Sequence, residues 1–424
     1  MKLLKSLLLL SCVAFLVVQV GLGYYAQAGV FATLLSVASF GMIAPVPGLC
    51  SVLTGLIPDV YAALNVVSRE LVGAIPSVTR DPRADRCALG ATLKNPIAPV
   101  NTSVGNVTPA MAFPSANTQT IVSRDFTVQK SRFAPFSWSG EAEYNADSGV
   151  GFLTIQQQQI AEAIRAIVNE MEADVCLAAG IAGSRAYGTA GTTAFASDLA
   201  AAAQIRKILD DNGAPLSGRS CVMDTTAGAA MRTLSQLTKS NEAGSSMTLR
   251  DGELLNIHGI SFKESAQIAS PAKGSGASYL VNGALSAGAT AITVDTGSGT
   301  ILAGDILTIG NHKYVVSAAL AANVVTIAAP GLREAVADNA TVTVNNVAAR
   351  NFAFSQDAIL IGTRLPASPG KGDLAIDREI ITDDRSGISF EIVAWPGVDM
   401  ITYHVRAAWG VAVMKPAHIA LLLG

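Results

Sequence analysis

Apolar residues recur at steps of three and four from about Thr154 to Ala179, where the chain reads TIQQQQIAEAIRAIVNEMEADVCLAA. At that spacing Ile160, Ile164, Ile167, Met171, Val175 and Cys176 share one helical face. Gln158, Glu162, Arg165, Asn169, Glu172 and Asp174 mostly take the other faces. Thr154 and Gln157 have capping-box spacing, and Gly180 stands where a helix stops. The pattern predicts one amphipathic rod of roughly 40 Å. It carries no chemistry of its own and suits a support on which other layers are laid.

Upstream, Leu53–Leu71 reads as a short amphipathic helix with Pro58 near its start, ended by Pro76 and Pro82. Residues 83–120 are polar and rich in Pro, Gly and Asn, and read as an extended arm or a long loop. Alternation returns over Thr120–Trp138. Beyond the rod, Ser197 or Asp198 caps a predicted helix through Leu209, and Ser220–Met223 is a short buried strand. Thr225 or Thr226 then caps another helix through Leu237, and Leu254–Ile260 and Ser261–Ile268 are strand-like. This alternation indicates an α/β or α+β unit.

From about Ser270 the texture changes. ATAITVD, GDILTIG, HKYVVSA, NVVTIAA and ATVTVNN are short alternating runs divided by glycine-containing turns, as in a small barrel or sandwich placed at about 275–348. Afterwards Ala358–Ile361, Ser389–Ala394, Met400–Ala408 and Gly410–Met414 read as strands, Pro366–Gly372 as a loop and Ile419–Leu423 as an apolar terminus.

Composition narrows the function classes. The 424 residues are 50% hydrophobic and only 14% charged, with a formal net charge of -3, which excludes a protein that wraps nucleic acid in a basic groove. Arg124, Lys130 and Arg132 are the nearest approach to a basic patch, read as a solvated face or an intersubunit ion-pair set, with a nucleic-acid contact as the lesser reading. Five scattered cysteines (Cys12, Cys50, Cys87, Cys176, Cys221), with no CxxC, read as free thiols in a reducing compartment. No charge occurs between Lys5 and Asp59. This opening reads in three ways: a signal peptide with a small-residue site near Ala26–Ala28, a membrane span, or a start set too far upstream.

No constellation favours catalysis. His258, His312, His404 and His418 lie far apart, without metal-ligand spacing. The phosphate-loop, dinucleotide and nucleophile-elbow patterns do not occur. The acidic pairs Asp210-Asp211 and Asp383-Asp384 sit in turn and cap contexts. No catalytic, cofactor-binding or metal site is assigned, and no cofactor is expected.

Several local sequences carry a family resemblance. LTGLIPDVYAALNVVSRELVGAIPSVTRD (53–81), IVSRDFTVQKSRFAPFSWSGEAEY (121–144), QIRKILDDNGAP (204–215), ILAGDILTIGNHKYVV (301–316) and VRAAWGVAVMKPAHIALLLG (405–424) resemble coat proteins of tailed phages of the P-twenty-two type. The resemblance runs from about Val52 to Gly424 and does not include the hydrophobic first fifty residues. It implies an α+β, HK-ninety-seven-like capsid fold with an inserted small β-barrel domain. The expected parts are an N-terminal extension at 1–50, an arm at 51–85 and an extended loop at 86–150. A spine helix with an axial α/β part follows at 151–270, the insertion at 271–349, and the rest of the axial and peripheral domain at 350–424. The implied function is a major capsid protein of a tailed double-stranded DNA phage or prophage, not an enzyme. Its implied partners are copies of itself in hexamers and pentamers, scaffolding and portal proteins, DNA at the inner face, and decoration proteins. Its implied location is the virion, assembled in the host cytoplasm. The other class the sequence allows is an exported or membrane-anchored β-rich surface or binding protein, which residues 1–30 would serve.

Overall fold

The computed structural model describes residues 71–97, 122–147, 152–239, 251–252, 254, 256–369, 372–383 and 388–424. The predicted helix at 53–71 falls outside these, except for Leu71, which is exposed and not helical. The first fifty residues also fall outside.

Helix α1 (Gly140–Asp147) leads into helix α2 (Phe152–Ala182). The stripe of α2 is buried along its length, from Ile160 and Ile164 to Val175 and Cys176. The helix is longer than its pattern predicts, about 46 Å. Thr154 therefore lies inside the helix rather than at its cap. Gly180 does not stop it either. A glycine costs about 1 kcal/mol in a helix, and here the Gly180 carbonyl accepts a hydrogen bond from Arg350 Nη1 at 3.0 Å. The helix ends where Gly183 passes Leu421, whose Cγ would lie 2.6 Å from any added Cβ.

One sheet is laid along α2. Its order is β1 (Thr79–Cys87), β16 (Ile359–Pro366), β19 (Met400–Val413), β18 (Ile388–Pro396) and β17 (Asp377–Asp383), and β4 (Lys130–Ser139) also pairs with β19. The β1–β16 ladder is parallel and the others are antiparallel. Tyr403, Val405, Ala407 and Trp409 alternate onto one buried face. The two strands predicted at 400–408 and 410–414 are one strand. Gly410 does not break it: an added Cβ there would meet the Thr127 carbonyl oxygen at 2.1 Å, so glycine permits close approach rather than a turn.

Residues 83–97, predicted as part of a loop, are mostly strand. β2 (Thr92–Ile97) pairs antiparallel with β3 (Val122–Thr127) in a two-stranded ribbon that has no other sheet partner among the described residues. Phe126 anchors its base against Gly362, packed with Val128 and Ala408.

The second sheet runs β5 (Arg185–Tyr187), β20 (Ile419–Leu423), β15 (Arg350–Ser355), β6 (Arg219–Met223), β8 (Ile260–Glu264) and β7 (Asn256–Ile257). β6, β15 and β20 are buried at every position, so the predicted apolar terminus is a central strand. Helices α3 (Ala200–Asp211), α4 (Thr225–Thr233) and α5 (Ser235–Thr238) accompany this sheet, and Ile205, Leu209 and Met231 join a core with Cys221, Phe262 and Leu422. Asp224 rather than a threonine caps α4, accepting from the Ala227 N–H at 3.0 Å. The helix predicted to run through Leu237 breaks at Leu234, whose backbone is extended. The strand predicted at Leu254–Ile260 is cut short by a turn at His258 and Gly259, both at positive φ.

Six further strands close on themselves: β9 (Tyr279–Val281), β10 (Ala291–Asp295), β11 (Ile306–Ile309), β12 (His312–Ala321), β13 (Val324–Ile327) and β14 (Thr341–Val344). Their order is β11-β14-β9-β10-β13-β12, and β12 pairs again with β11. The ring has its own apolar core, including Val281, Ile292, Leu307, Tyr314 and Val325. It joins the second sheet through the β12–β5 ladder. Deleting 275–348 is expected to leave the circular-dichroism signal of α2 to α4 in place with a lower melting temperature. Complete loss of secondary structure would show that the ring is not a separable unit.

Candidate functional site

Of the titratable residues singled out in the sequence, Asp211 and His312 line one cavity together, with Arg185 and Lys313. His258 is exposed, and His312 lies 3.2 Å from Glu334 Oε1. His404 stacks with Phe133 at 4.8 Å between ring centroids. Burial, with Arg406 adding to it, holds its imidazole below the usual range; burial, Lys415 and Arg219 do the same for His418. Cys87, Cys176 and Cys221 are free thiols. Burial raises Cys221 to about 12 and, with the Glu172 charge, raises Cys176 as well, so neither is a nucleophile at neutral pH. Cys12 and Cys50 lie outside the described residues. Asp210 pairs with Arg219 at 2.6 Å and Asp211 with Arg185 at 3.1 Å, which uses both carboxylates in holding α3. Asp383 ends β17, and Asp384 is not described. Among the described residues no group of three His, Cys, Asp or Glu could hold a metal, and no helix is long and apolar enough to cross a membrane.

Lys130 and Arg132 of the sequence's basic cluster are committed internally. Lys130 Nζ lies 2.9 Å from Glu170 and 2.8 Å from Asp174 on α2, and Arg132 Nε lies 3.1 Å from Glu170. Burial would lower Lys130, but hydrogen bonds and charge from Asp174 and Glu170 outweigh it and raise the ammonium's pKa. These part-exposed pairs contribute at most about 1 kcal/mol each. The Asp174 carboxylate also accepts from Trp409 Nε1 at 2.9 Å, and Gln159 Oε1 accepts from Trp138 Nε1 at 2.5 Å. Gln156 is buried. The polar start of α2 thus binds its own sheet. The Arg124 side chain is outside the described set.

Buried carboxylates escaped the sequence reading, Glu172 and Glu391 among them. Glu172, assigned to a polar face, is fully buried. Its Oε1 accepts from the Gly73 and Ala74 N–H groups at 2.9 and 2.7 Å, and its Oε2 from Ile75 N–H at 2.9 Å. The base of the N-terminal segment is thereby tied to α2, since three donors facing one carboxylate compensate its burial. Glu172→Ala orphans these donors. It is expected to cost at least about 2 kcal/mol and to speed amide exchange at 73–75, which hydrogen-exchange mass spectrometry reads.

Glu391 lies buried on β18 among three arginines. Arg86 and Arg406 each approach to 2.5 Å, and Arg378 to 3.3 Å. Burial pushes its carboxyl up, but hydrogen bonds from Arg86 and Arg406 outweigh this and hold it below its ordinary value. A lone acid inside SFEIVAWP was the available signal, since a charge within an apolar run needs a partner. The partner's identity depends on register: Glu391 stands opposite Arg406.

A long helix is riveted to a sheet by ion pairs and two tryptophan N–H groups, and Phe126 of the two-stranded ribbon packs against the same sheet.

No family model matches the chain, and no curated protein matches it. Solved structures do. The chain is similar to a chain of the capsid of the cyanophage P-SCSP1u at 14% identity, covering 84% of this chain and 89% of that one, with a TM-score of 0.46. It is also similar to a chain of the capsid of an empty GTA particle at 11% identity, covering 84% and 91%, with a TM-score of 0.43. A virus-like particle from Pyrococcus furiosus is similar at 8% identity, covering 87% and 98%, with a TM-score of 0.41.

Proposed function

We propose that this chain is a structural, self-assembling shell subunit: the major capsid protein of a tailed double-stranded DNA phage or prophage, with an HK-ninety-seven-like fold of the P-twenty-two type. The observation that carries this reading is the β2–β3 ribbon. A two-stranded ribbon is marginal in water, and among the described residues neither of its edges pairs with a further strand. Neighbouring copies supply what it lacks, and moderate contacts repeated by symmetry add up to a stable assembly. The local sequences quoted above support the same reading. On this reading the ring of six strands is the family's inserted domain. Scaffolding and portal proteins act during assembly, DNA meets the inner face without sequence readout, and the product is a virion component with no enzymatic role. Co-expression with a scaffolding partner, followed by sedimentation, tests it. Fast-sedimenting particles of uniform size are expected, whereas a slow monomer under every condition would overturn the reading.

A further inference from the structure

The face of the first sheet turned away from α2 collects residues that interfaces favour. Lys130, Arg132 and Trp409 meet α2, so positions of opposite parity on β4 and β19 point the other way. Phe133 stands opposite Arg406, which stands opposite Glu391, which stands opposite Ile380. Phe133 is 57% exposed, Ile380 47% and Met400 43%. Between them, Arg378 lies over the Trp395 ring at 5.9 Å. Among the described residues, Arg86, Arg378 and Arg406 pair with two carboxylates, Glu391 and Asp373. Trp395 Nε1 and Arg406 Nε have no acceptor among the described residues. Aromatic and arginine side chains without lysine are the composition of an interface centre.

The complement lies on the same chain. Helix α1, GEAEYNAD, is acidic and carries no basic residue. Glu141 and Glu143 are exposed and make no ion pair among the described residues, and Tyr144 is 84% exposed. A helix this polar and this exposed buries little against its own chain and presents its acidic side chains and Tyr144 for contact with a partner. We propose that the outer face of the first sheet receives helix α1 of a second copy, with Glu141 and Glu143 meeting the arginine cluster and Tyr144 seated beside Phe133 and Ile380. This contact rests on the shell-subunit reading and assigns one of its subunit interfaces.

The test replaces Tyr144 with photoreactive benzoylphenylalanine in particles assembled from a mixture of nitrogen-15-labelled and unlabelled chains. Mixed-isotope cross-links to peptides within 129–139, 377–383 or 388–406 are expected after irradiation. Cross-links elsewhere, within single copies only, or none at all from well-formed particles overturn the contact and leave the shell reading standing. Failure of the unsubstituted chain to form particles overturns both. As a second measurement, the double variant Glu141→Lys, Glu143→Lys should keep its circular-dichroism spectrum and assemble at least tenfold more slowly. Unchanged assembly would overturn the proposal.

Discussion

Glu391→Ala is expected to destabilise the folded chain by about 3–5 kcal/mol, the scale seen when one partner is removed from a buried ion pair. Three guanidiniums then face one another with their shared acceptor gone. Arg406 and Arg378 are poorly placed to turn to solvent, at 16% and 24% exposure, whereas Arg86 at 37% can do so. Arg86→Ala should therefore cost much less, on the order of 1 kcal/mol. Urea denaturation of both variants separates the two effects. The same carboxylate gives an acid signature. Its folded pKa is held below the unfolded value of about 4.3, so its contribution is complete above that pH and is lost as pH falls through the folded pKa. Glu391→Gln should flatten the stability profile below about pH 4.3. An unchanged acid limb would mean that the carboxylate is not bound as described.

Ile164→Asp is expected to abolish folding or assembly. Ile164 is fully buried at the middle of the α2 stripe, and an unpaired charge there costs several kcal/mol. Ile164→Val removes one methyl group from the same place and should cost only about 0.5–1.5 kcal/mol. Soluble expression, far-ultraviolet circular dichroism and particle yield report the difference. Normal particles from Ile164→Asp would show that the stripe is not the packed face.

The rod, the ring strands and the short buried strand at 220–223 were legible because their periodicity is local. What stayed hidden depends on contacts distant in sequence. β1 contains Pro82 and several charged residues, and it forms a strand because β16 accepts it in parallel at the sheet edge. β17 begins Asp-Arg-Glu, and its ladder to β18 supplies what its composition lacks. Gly180 and Gly410 imitate stop signals, yet each lies inside an element, and at Gly410 the missing Cβ permits the close approach of the Thr127 carbonyl. Glu172 fits a solvent face by sequence, and only the backbone of residues 73–75 explains why it is inside. The outer-face cluster was equally hidden, since Arg86, Arg378, Glu391 and Arg406 meet only through strand register.

The central claim is that many copies of this chain build a closed shell. Electron cryomicroscopy of particles purified after expression with a scaffolding partner tests it most directly. Closed shells of one diameter are expected, each subunit's density holding a straight helix of about 46 Å for 152–182 and a two-stranded ribbon reaching a neighbouring copy. Discrete monomers, or particles whose subunits touch without engaging that ribbon, would contradict it.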